Sequence, residues 1–131
     1  MTDAADVVRS YLASFAAGDP EAIAAHVTDD FVNDHASALG NRTDGAAAYR
    51  RRLPEFLGSM PGLRYEVTQV VVDGDAVAVA YTLTAVPDGH AVTIRGVMLC
   101  RVAGDRIAAR TDYWDSLSYL RQVGQAPPLE P

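Results

Sequence analysis

Two stretches that lie far apart in the chain contain the side chains best suited to moving a proton. The first is "DFVNDHASALG" (30–40), with Asn33 and His35, and the second is "RTDYWD" (110–115), with Asp112. Histidine titrates near neutral pH, and a carboxylate withdrawn from water can both take and give a proton. An asparagine amide can donate a hydrogen bond to a carbonyl or enolate oxygen. We therefore predict acid/base chemistry in which Asp112, His35 and Asn33 act together.

Each of these residues also has a purely structural interpretation. Asp112 could form an ion pair with Arg110, two residues before it. His35 could cap a turn or lie on the surface, and Asn33 could hold a turn through its own backbone. His35, Asp34 and Asp112 could form an oxygen and nitrogen ligand set, but no paired-histidine spacing supports one, and we predict no metal.

Helical patterns come first in the chain. Five apolar residues at helical spacing predict a first helix that ends at Gly18: Val7, Val8, Tyr11, Leu12 and Phe15. Asp19 as N-cap and Pro20 in the first turn predict a second short helix that runs to about Val27.

A turn and a longer helix are predicted next. The segment "NRTDG" (41–45) has turn composition, and Thr43 or Asp44 is predicted to cap a third helix near residues 45–58. Pro54 falls inside that helix and predicts a kink or an early end.

Strand patterns fill the second half. Four long strands are separated by the turns "DGD", "PDG" and "AGD": residues 63–72, 76–86, 90–102 and 106–115. They predict an antiparallel meander, followed by a short helix over residues 116–124. Helices first and strands later indicate an α+β fold.

A strongly curved sheet of this kind can wrap around the N-terminal helices as a cone with an inner pocket. Alternation places Arg110, Asp112 and Trp114 on one face. On a neighbouring strand one face is bulkier and is predicted to point inward: Val77, Val79, Tyr81 and Leu83. Tyr11, Tyr81 and Trp114 would then line a cavity or fill the core.

The opening "YLASFAAGDPEAIAAHVTDDFV" (11–32) resembles that of the nuclear transport factor 2-like superfamily, and nearly the whole chain follows its pattern. Within that superfamily, "FVNDHASALGNRTDGAAAY" (31–49) and "GDRIAARTDYWDSLSYLRQVG" (104–124) resemble the SnoaL-type polyketide cyclases. The resemblance implies a cystatin-like cone, in which a curved antiparallel sheet surrounds the N-terminal helices. It implies a single SnoaL-like domain over residues 1–125, followed by a C-terminal tail of residues 126–131.

In the cyclases that the chain resembles, one aspartate on the last strand is the acid/base of an intramolecular aldol ring closure, without a metal or organic cofactor. Asp112 matches that aspartate, and Asn33 matches an asparagine that lines the pocket. A pocket histidine of the cyclases falls near Met98, which is a departure. The resemblance implies no cofactor and a small apolar or aromatic ligand, and the residues predicted to bind it are Tyr11, Tyr81, Met98, Arg110 and Trp114.

Two sister families can be compared at the same positions. Limonene-epoxide hydrolases need an arginine and an aspartate where this chain has Val79 and Tyr81, so only Asp112 matches their triad. Ketosteroid isomerases need a tyrosine in the first helix, which Tyr11 matches, and an aspartate base, where His35 stands instead. They also need a protonated aspartate on the third strand, which has only apolar residues there.

We therefore expect a cofactor-free enzyme of the aldol cyclase or isomerase type that acts on an apolar carbonyl or polycyclic substrate. Two alternatives stay open. One is a non-catalytic module for small-molecule binding or dimerisation, and the other is an epoxide hydrolase in which Asp112 activates water.

The composition and sequence pattern restrict the partners and the location expected for the chain. The formal net charge is −6 and all 11 basic residues are arginine, which argues against nucleic-acid binding. No apolar stretch approaches the roughly 20 residues that span a bilayer, and no signal-peptide pattern is visible, so a cytoplasmic location is expected. The single cysteine, Cys100, is predicted to be a buried, inert thiol. Small and apolar residues on the outer sheet face predict a two-fold homodimer.

Overall fold

A computed structural model describes residues 3–126 of the chain, so all but the first residue of the predicted C-terminal tail lies outside the described residues. Within this range the α-helices are α1 (Ala4–Ser14), α2 (Pro20–Ala24), α3 (Ala46–Ser59) and α4 (Ser116–Gln122). The strands are β1 (Val27–His35), β2 (Arg42–Asp44), β3 (Arg64–Asp73), β4 (Ala76–Ala85), β5 (Val92–Ala103) and β6 (Arg106–Trp114). Single 3₁₀ turns cover Phe15–Ala17 and Pro87–Gly89.

The first two helices form for the reasons that the sequence indicates. The Asp3 carboxylate accepts from the Asp6 backbone N–H and caps α1, and Gly18 ends the following 3₁₀ turn with a φ of 69°. Asp19 caps α2 in the same way. The expected end of α2 near Val27 is wrong, because Val27 already pairs with Ile107 as the first residue of β1.

The segment before α3 differs from its prediction. Residues Arg42–Asp44 are not a turn but the short strand β2, which pairs with β1, and Gly45 donates its N–H to the carbonyl of Phe31. Because this pairing uses Thr43 and Asp44, neither caps α3. Its N-cap is Gly45, whose φ of 90° is a conformation that glycine tolerates. Helix α3 also continues through Pro54 to Ser59, so the expected early end is wrong.

One sheet contains all six described strands, in the order β2-β1-β6-β5-β4-β3. The predicted antiparallel meander of β3, β4, β5 and β6 is confirmed. Strand β1 joins it through a parallel pairing with β6. In this pairing Asn33 lies opposite Arg110 and His35 lies opposite Asp112, so the two stretches that carry chemistry become neighbours.

The curved, unclosed sheet surrounds a core formed with the helices. The inward face of β4 is as predicted, since Val77, Val79, Tyr81 and Leu83 are all buried. Cys100 is buried beside them, and burial raises the pKa of its thiol to about 12, as expected of an inert cysteine. Across residues 3–126 no helix is both long enough and apolar enough to cross a membrane.

Candidate functional site

An ion pair between Arg110 and Asp112 lies at the centre of the cone. The two residues are two apart on β6 and therefore share its inner face, where they are 2% and 1% exposed. Arg110 donates from both Nε and Nη2 to Asp112 Oδ2, over 2.9 and 2.5 Å. Two donors that converge on one oxygen fix the direction of the carboxylate.

The second oxygen of the carboxylate is held by a tyrosine from β4. The Tyr81 hydroxyl donates to Asp112 Oδ1 over 3.1 Å. Its ring fits there because Gly96, opposite it on β5, has no side chain. A Cβ atom at Gly96 would lie 2.6 Å from the Tyr81 hydroxyl oxygen. Both Asp112 oxygens therefore accept hydrogen bonds from the protein.

Aromatic side chains enclose the other side of the arginine. Arg110 donates from Nη1 to the Tyr11 hydroxyl over 2.8 Å and from Nη2 to the Tyr65 hydroxyl over 3.0 Å. Its guanidinium carbon lies 5.6 to 5.7 Å from the ring centroids of Tyr11, Phe15 and Tyr65, within range of cation–π attraction. Burial alone would lower the pKa of Arg110, but the charge of Asp112 and the surrounding tyrosines raise it well above its usual value.

A second tyrosine, Tyr49 from α3, extends this network. The hydroxyl oxygens of Tyr11 and Tyr49 are 2.5 Å apart, and the Tyr49 ring packs edge-on against Phe31 of β1. Burial raises the pKa values of Tyr49 and Tyr65 to about 12 and that of Tyr11 well above 10. All three hydroxyls therefore keep their protons near neutral pH.

His35 lies at the rim of this buried network. Its Nδ1 is 3.6 Å from Asp112 Oδ2, beyond hydrogen-bond distance, and its side chain is 22% exposed. Burial, followed by the charge of Arg110, lowers the pKa of His35 to about 4, although Asp112 acts in the opposite direction. The imidazole is therefore neutral near pH 7, and its approach to Asp112 is not an ion pair there.

The loop after His35 is fixed to the rest of the site by backbone hydrogen bonds. The N–H of Ala36 donates to the carbonyl of Asp112, and the N–H of Leu39 donates to Ser116 Oγ at the start of α4. Gly40 packs so closely that a Cβ atom there would lie 1.9 Å from the His35 carbonyl oxygen. These contacts set the position of the imidazole relative to β6.

Two neighbouring spaces open beside His35. The inner one is a cavity of about 40 Å³, lined by Phe15, His35, Tyr49, Arg52, Leu53, Phe56 and Arg110. The outer one is a groove of about 250 Å³, lined by His35, Leu39, Gly40, Asn41, Phe56, Met60, Trp114 and Tyr119. His35 and Phe56 belong to both. The cavity has room for a few water molecules at most, so the inner volume of the cone is largely filled by side chains.

The structure brings only some of the predicted site residues to these spaces. His35 and Arg110 line the cavity, and Trp114 lines the groove. Asn33 is buried on the same face of β1 as His35, and its Oδ1 has no hydrogen-bond partner among the described residues. Met98 is fully buried in the core opposite Asp112 and lines neither space. Tyr11, Tyr81 and Asp112 are likewise enclosed behind the cavity.

Four residues with a direct part in this geometry were not singled out from the sequence: Tyr49, Phe56, Tyr65 and Gly96. Tyr49, Leu53 and Phe56 have helical spacing within the predicted third helix, which could have identified them as one inward face. Tyr65 alternates correctly for an inner position on β3. Within residues 3–126 no group of three or more histidine, cysteine or acidic side chains could hold a metal ion.

Comparisons with known proteins agree with this architecture. The SnoaL-like domain is the family whose model matches, over residues 8–110. No curated protein matches the chain significantly. A Catenulispora acidiphila hypothetical protein with a ketosteroid isomerase-like fold, solved in complex with trimethylamine, is similar at 19% identity and a TM-score of 0.82, covering 96% of this chain and 98% of that one.

Two further solved structures are similar at 22% identity. A putative polyketide cyclase from Xanthomonas campestris has a TM-score of 0.80 and covers 92% of this chain and 96% of its own. An LEH-like epoxide hydrolase from M. tuberculosis has a TM-score of 0.78 and covers 92% of each chain. At this level of identity the likeness establishes the fold.

Proposed function

Because the chain belongs to the SnoaL-like domain family, we propose that it is a cofactor-free enzyme that transfers a proton on a small carbonyl compound. The observation that carries this proposal is the position of His35. Its imidazole lines both the cavity and the groove, while its Nδ1 faces the Asp112 carboxylate at 3.6 Å. A base that faces a ligand space on one side and a fixed carboxylate on the other is suited to general acid/base catalysis.

In this proposal His35 takes the proton and Asp112 orients it. Asp112 accepts three hydrogen bonds from Arg110 and Tyr81, so its carboxylate serves as a fixed negative charge that stabilises the imidazolium as it forms. This moves the acid/base role away from Asp112, to which the sequence and its family resemblance assigned it. A neutral His35 is ready to accept a proton near pH 7, but its low pKa makes it a weak base. The substrate should therefore be an acidic carbon acid, such as a 1,3-dicarbonyl compound.

The size of the two spaces restricts the substrate further. A cavity of about 40 Å³ admits one polar end of a molecule, and the adjoining groove of about 250 Å³ admits one or two rings. Drug-sized ligands commonly occupy pockets of roughly 300 to 1,000 Å³. We therefore propose a ligand with one oxygen-bearing end in the cavity and an apolar body in the groove, smaller than the polycyclic substrate expected from the sequence.

Ligand binding without catalysis is the second candidate. One observation in its favour is that both Asp112 oxygens already accept hydrogen bonds from the protein, whereas a reactive carboxylate normally keeps one oxygen free for its substrate. The other is that the inner cavity is small. Epoxide opening by water at Asp112 has less support for the same reason, because Tyr81 and Arg110 already occupy both carboxylate oxygens.

Hydrogen exchange at carbon separates catalysis from binding without a known substrate. Cyclic 1,3-diketones and aryl ketones would be incubated with the protein in D₂O, and deuterium uptake beside the carbonyl followed by NMR. The wild type should accelerate exchange of at least one of them, and His35→Gln should lose about a hundredfold or more of that rate. His90→Gln is the matched control, because His90 is exposed on a distant turn. Ligand binding without acceleration by the wild type would favour the binding module.

We also propose that the outer face of the sheet forms a homodimer. Val97, Leu99 and Tyr113 lie on adjacent strands of that face and are 41%, 45% and 50% exposed. Contiguous exposed apolar residues of this kind commonly mark an interface. Sedimentation should give a dimer for the wild type and a monomer for Leu99→Lys, and a wild-type monomer at high concentration would contradict the proposal.

A further inference from the structure

A short relay of polar groups runs from Arg110 to the cavity and ends at Tyr49. Arg110 Nη1 donates to the Tyr11 hydroxyl over 2.8 Å, and the Tyr11 and Tyr49 oxygens are 2.5 Å apart. Tyr11 is fully buried and lines no part of the cavity, whereas Tyr49 lines it beside His35. Arg110 also lines the cavity, but of the two tyrosine hydroxyls in this relay only that of Tyr49 is placed to meet a ligand.

The direction of the hydrogen bonds follows from the number of hydrogens available. Each tyrosine hydroxyl has one. If Tyr49 donated to Tyr11, the Tyr11 hydrogen would have no acceptor among residues 3–126 in a fully buried position, which is unfavourable. In the opposite direction Tyr11 accepts from Arg110 and donates to Tyr49. The hydrogen of Tyr49 then has no acceptor among residues 3–126, but Tyr49 lines the cavity, where a ligand can accept it. The guanidinium charge strengthens Tyr11 as a donor.

We propose that Tyr49 is the catalytic residue that donates a hydrogen bond to the ligand oxygen, with Tyr11 and Arg110 as the positioning residues behind it. The identity of that oxygen rests on the function proposed above: it is the carbonyl oxygen that gains negative charge when His35 removes a proton. A donor already aimed at developing charge, in a cavity with room for few water molecules, stabilises that charge strongly. From the sequence, Tyr11 was instead predicted to be one of the residues that bind the ligand.

The relay also defines the class of ligand. The end that enters the cavity carries an oxygen able to accept a hydrogen bond, and its negatively charged form gains further from Arg52, which lines the same cavity. The ring behind this oxygen lies in the groove, because His35 and Phe56 line both spaces. An enolate or a phenolate on a planar ring satisfies both requirements.

Two fluorinated probes of matching shape test this inference. Pentafluorophenolate carries the negative oxygen, and pentafluorotoluene has a methyl group in its place, and both are followed by ¹⁹F NMR. Tyr49→Phe should weaken phenolate binding about ten- to a hundredfold, the effect of a hydrogen bond to a charged group, and leave pentafluorotoluene binding unchanged. Tyr11→Phe should cause a smaller loss. Tyr113→Phe, which removes a hydroxyl from the outer sheet face and lines neither the cavity nor the groove, is the control.

Several outcomes would overturn the inference. One is that Tyr49→Phe weakens the binding of both probes equally. Another is that Tyr11→Phe weakens phenolate binding more than Tyr49→Phe does. The third is that the wild type does not bind the phenolate. Should Tyr49→Phe not fold, the wild type still gives a test. The Tyr49 hydroxyl resonance, assigned through the Tyr49 ring that packs against Phe31, should move downfield when the phenolate binds, and a resonance that stays in place would refute the role.

Failure of this inference and failure of the proposed function give different results. Phenolate binding requires no proton transfer, so Tyr49-dependent binding without hydrogen exchange would refute the enzyme alone. Rapid hydrogen exchange that Tyr49→Phe leaves intact would refute the role of Tyr49 alone.

Discussion

Acid should destabilise this fold through His35. Burial and the charge of Arg110 lower the pKa of its imidazole to about 4 in the folded chain, against 6.5 when it is free in water. Between these two values the unfolded chain binds the proton and the folded chain does not. The free energy of unfolding should therefore have its full value above about pH 6.5 and decrease as the pH falls towards 4.

The magnitude follows from the two pKa values. A difference of 2.5 units between 6.5 and 4 corresponds to about 3.4 kcal/mol at most, at about 1.4 kcal/mol per unit. The loss should reach about 2 kcal/mol at pH 5 and about 3 kcal/mol at pH 4, where the folded imidazole is half protonated. Domains of this size are stable by only about 5 to 15 kcal/mol, so the effect is large enough to measure.

Urea unfolding over a pH series would measure it. Wild type, His35→Gln and His90→Gln share the same carboxylates, so differences between their pH profiles isolate the two histidines. His35→Gln should lose much less stability than the wild type between about pH 6.5 and 4, and His90→Gln should follow the wild type. If the wild type and His35→Gln have parallel profiles, the imidazole is not held in a desolvated, positively charged environment, and the reasoning about its role as a neutral base is wrong.

Two further substitutions test the buried pair. Gly96→Ala should lower the free energy of unfolding in urea by about 1 to 3 kcal/mol, because the new methyl group displaces the Tyr81 ring. Gly58→Ala is the control, because a methyl group at that helix position would contact nothing, and it should have no such effect. Equal effects of the two substitutions would contradict the role given to Gly96. Arg110→Met should cost about 3 to 5 kcal/mol by leaving Asp112 buried and unpaired, and adding Asp112→Leu should recover part of the loss. A single-variant loss below about 1 kcal/mol would show that the pair contributes little.

The sequence was sufficient to predict the meander and its inner face, because both depend on local patterns. Alternation along β4 and β6 and the glycine-containing turns between strands specify which side chains point inward. The strand over Arg42–Asp44 could not be predicted in this way. Its composition favours a turn, and it becomes a strand only through pairing with β1, a contact that depends on how the whole sheet assembles. The cap of α3 moved to Gly45 for the same reason.

The site was predictable in its residue types but not in its connections. The sequence placed Arg110 and Asp112 on one face and identified His35 as the group that titrates near neutrality. It could not show that the parallel pairing of β1 with β6 brings His35 opposite Asp112, since no local signal specifies parallel pairing. Nor could it show that Tyr49 and Tyr65 reach the same charge from α3 and β3.

The filled interior explains why chemistry should occur at the rim of the cone. A buried arginine needs acceptors for its hydrogens and an opposite charge. Tyr11, Tyr65 and Asp112 supply them, and their side chains fill much of the interior of the cone. His35 is then the group whose charge can still change. Arg110 opposes its protonation, whereas a negative ligand oxygen held at Tyr49 would favour it. Ligand binding and proton uptake by His35 should therefore be coupled, each strengthening the other. On this proposal His35, a weak base without a ligand, becomes a stronger base as the enolate forms.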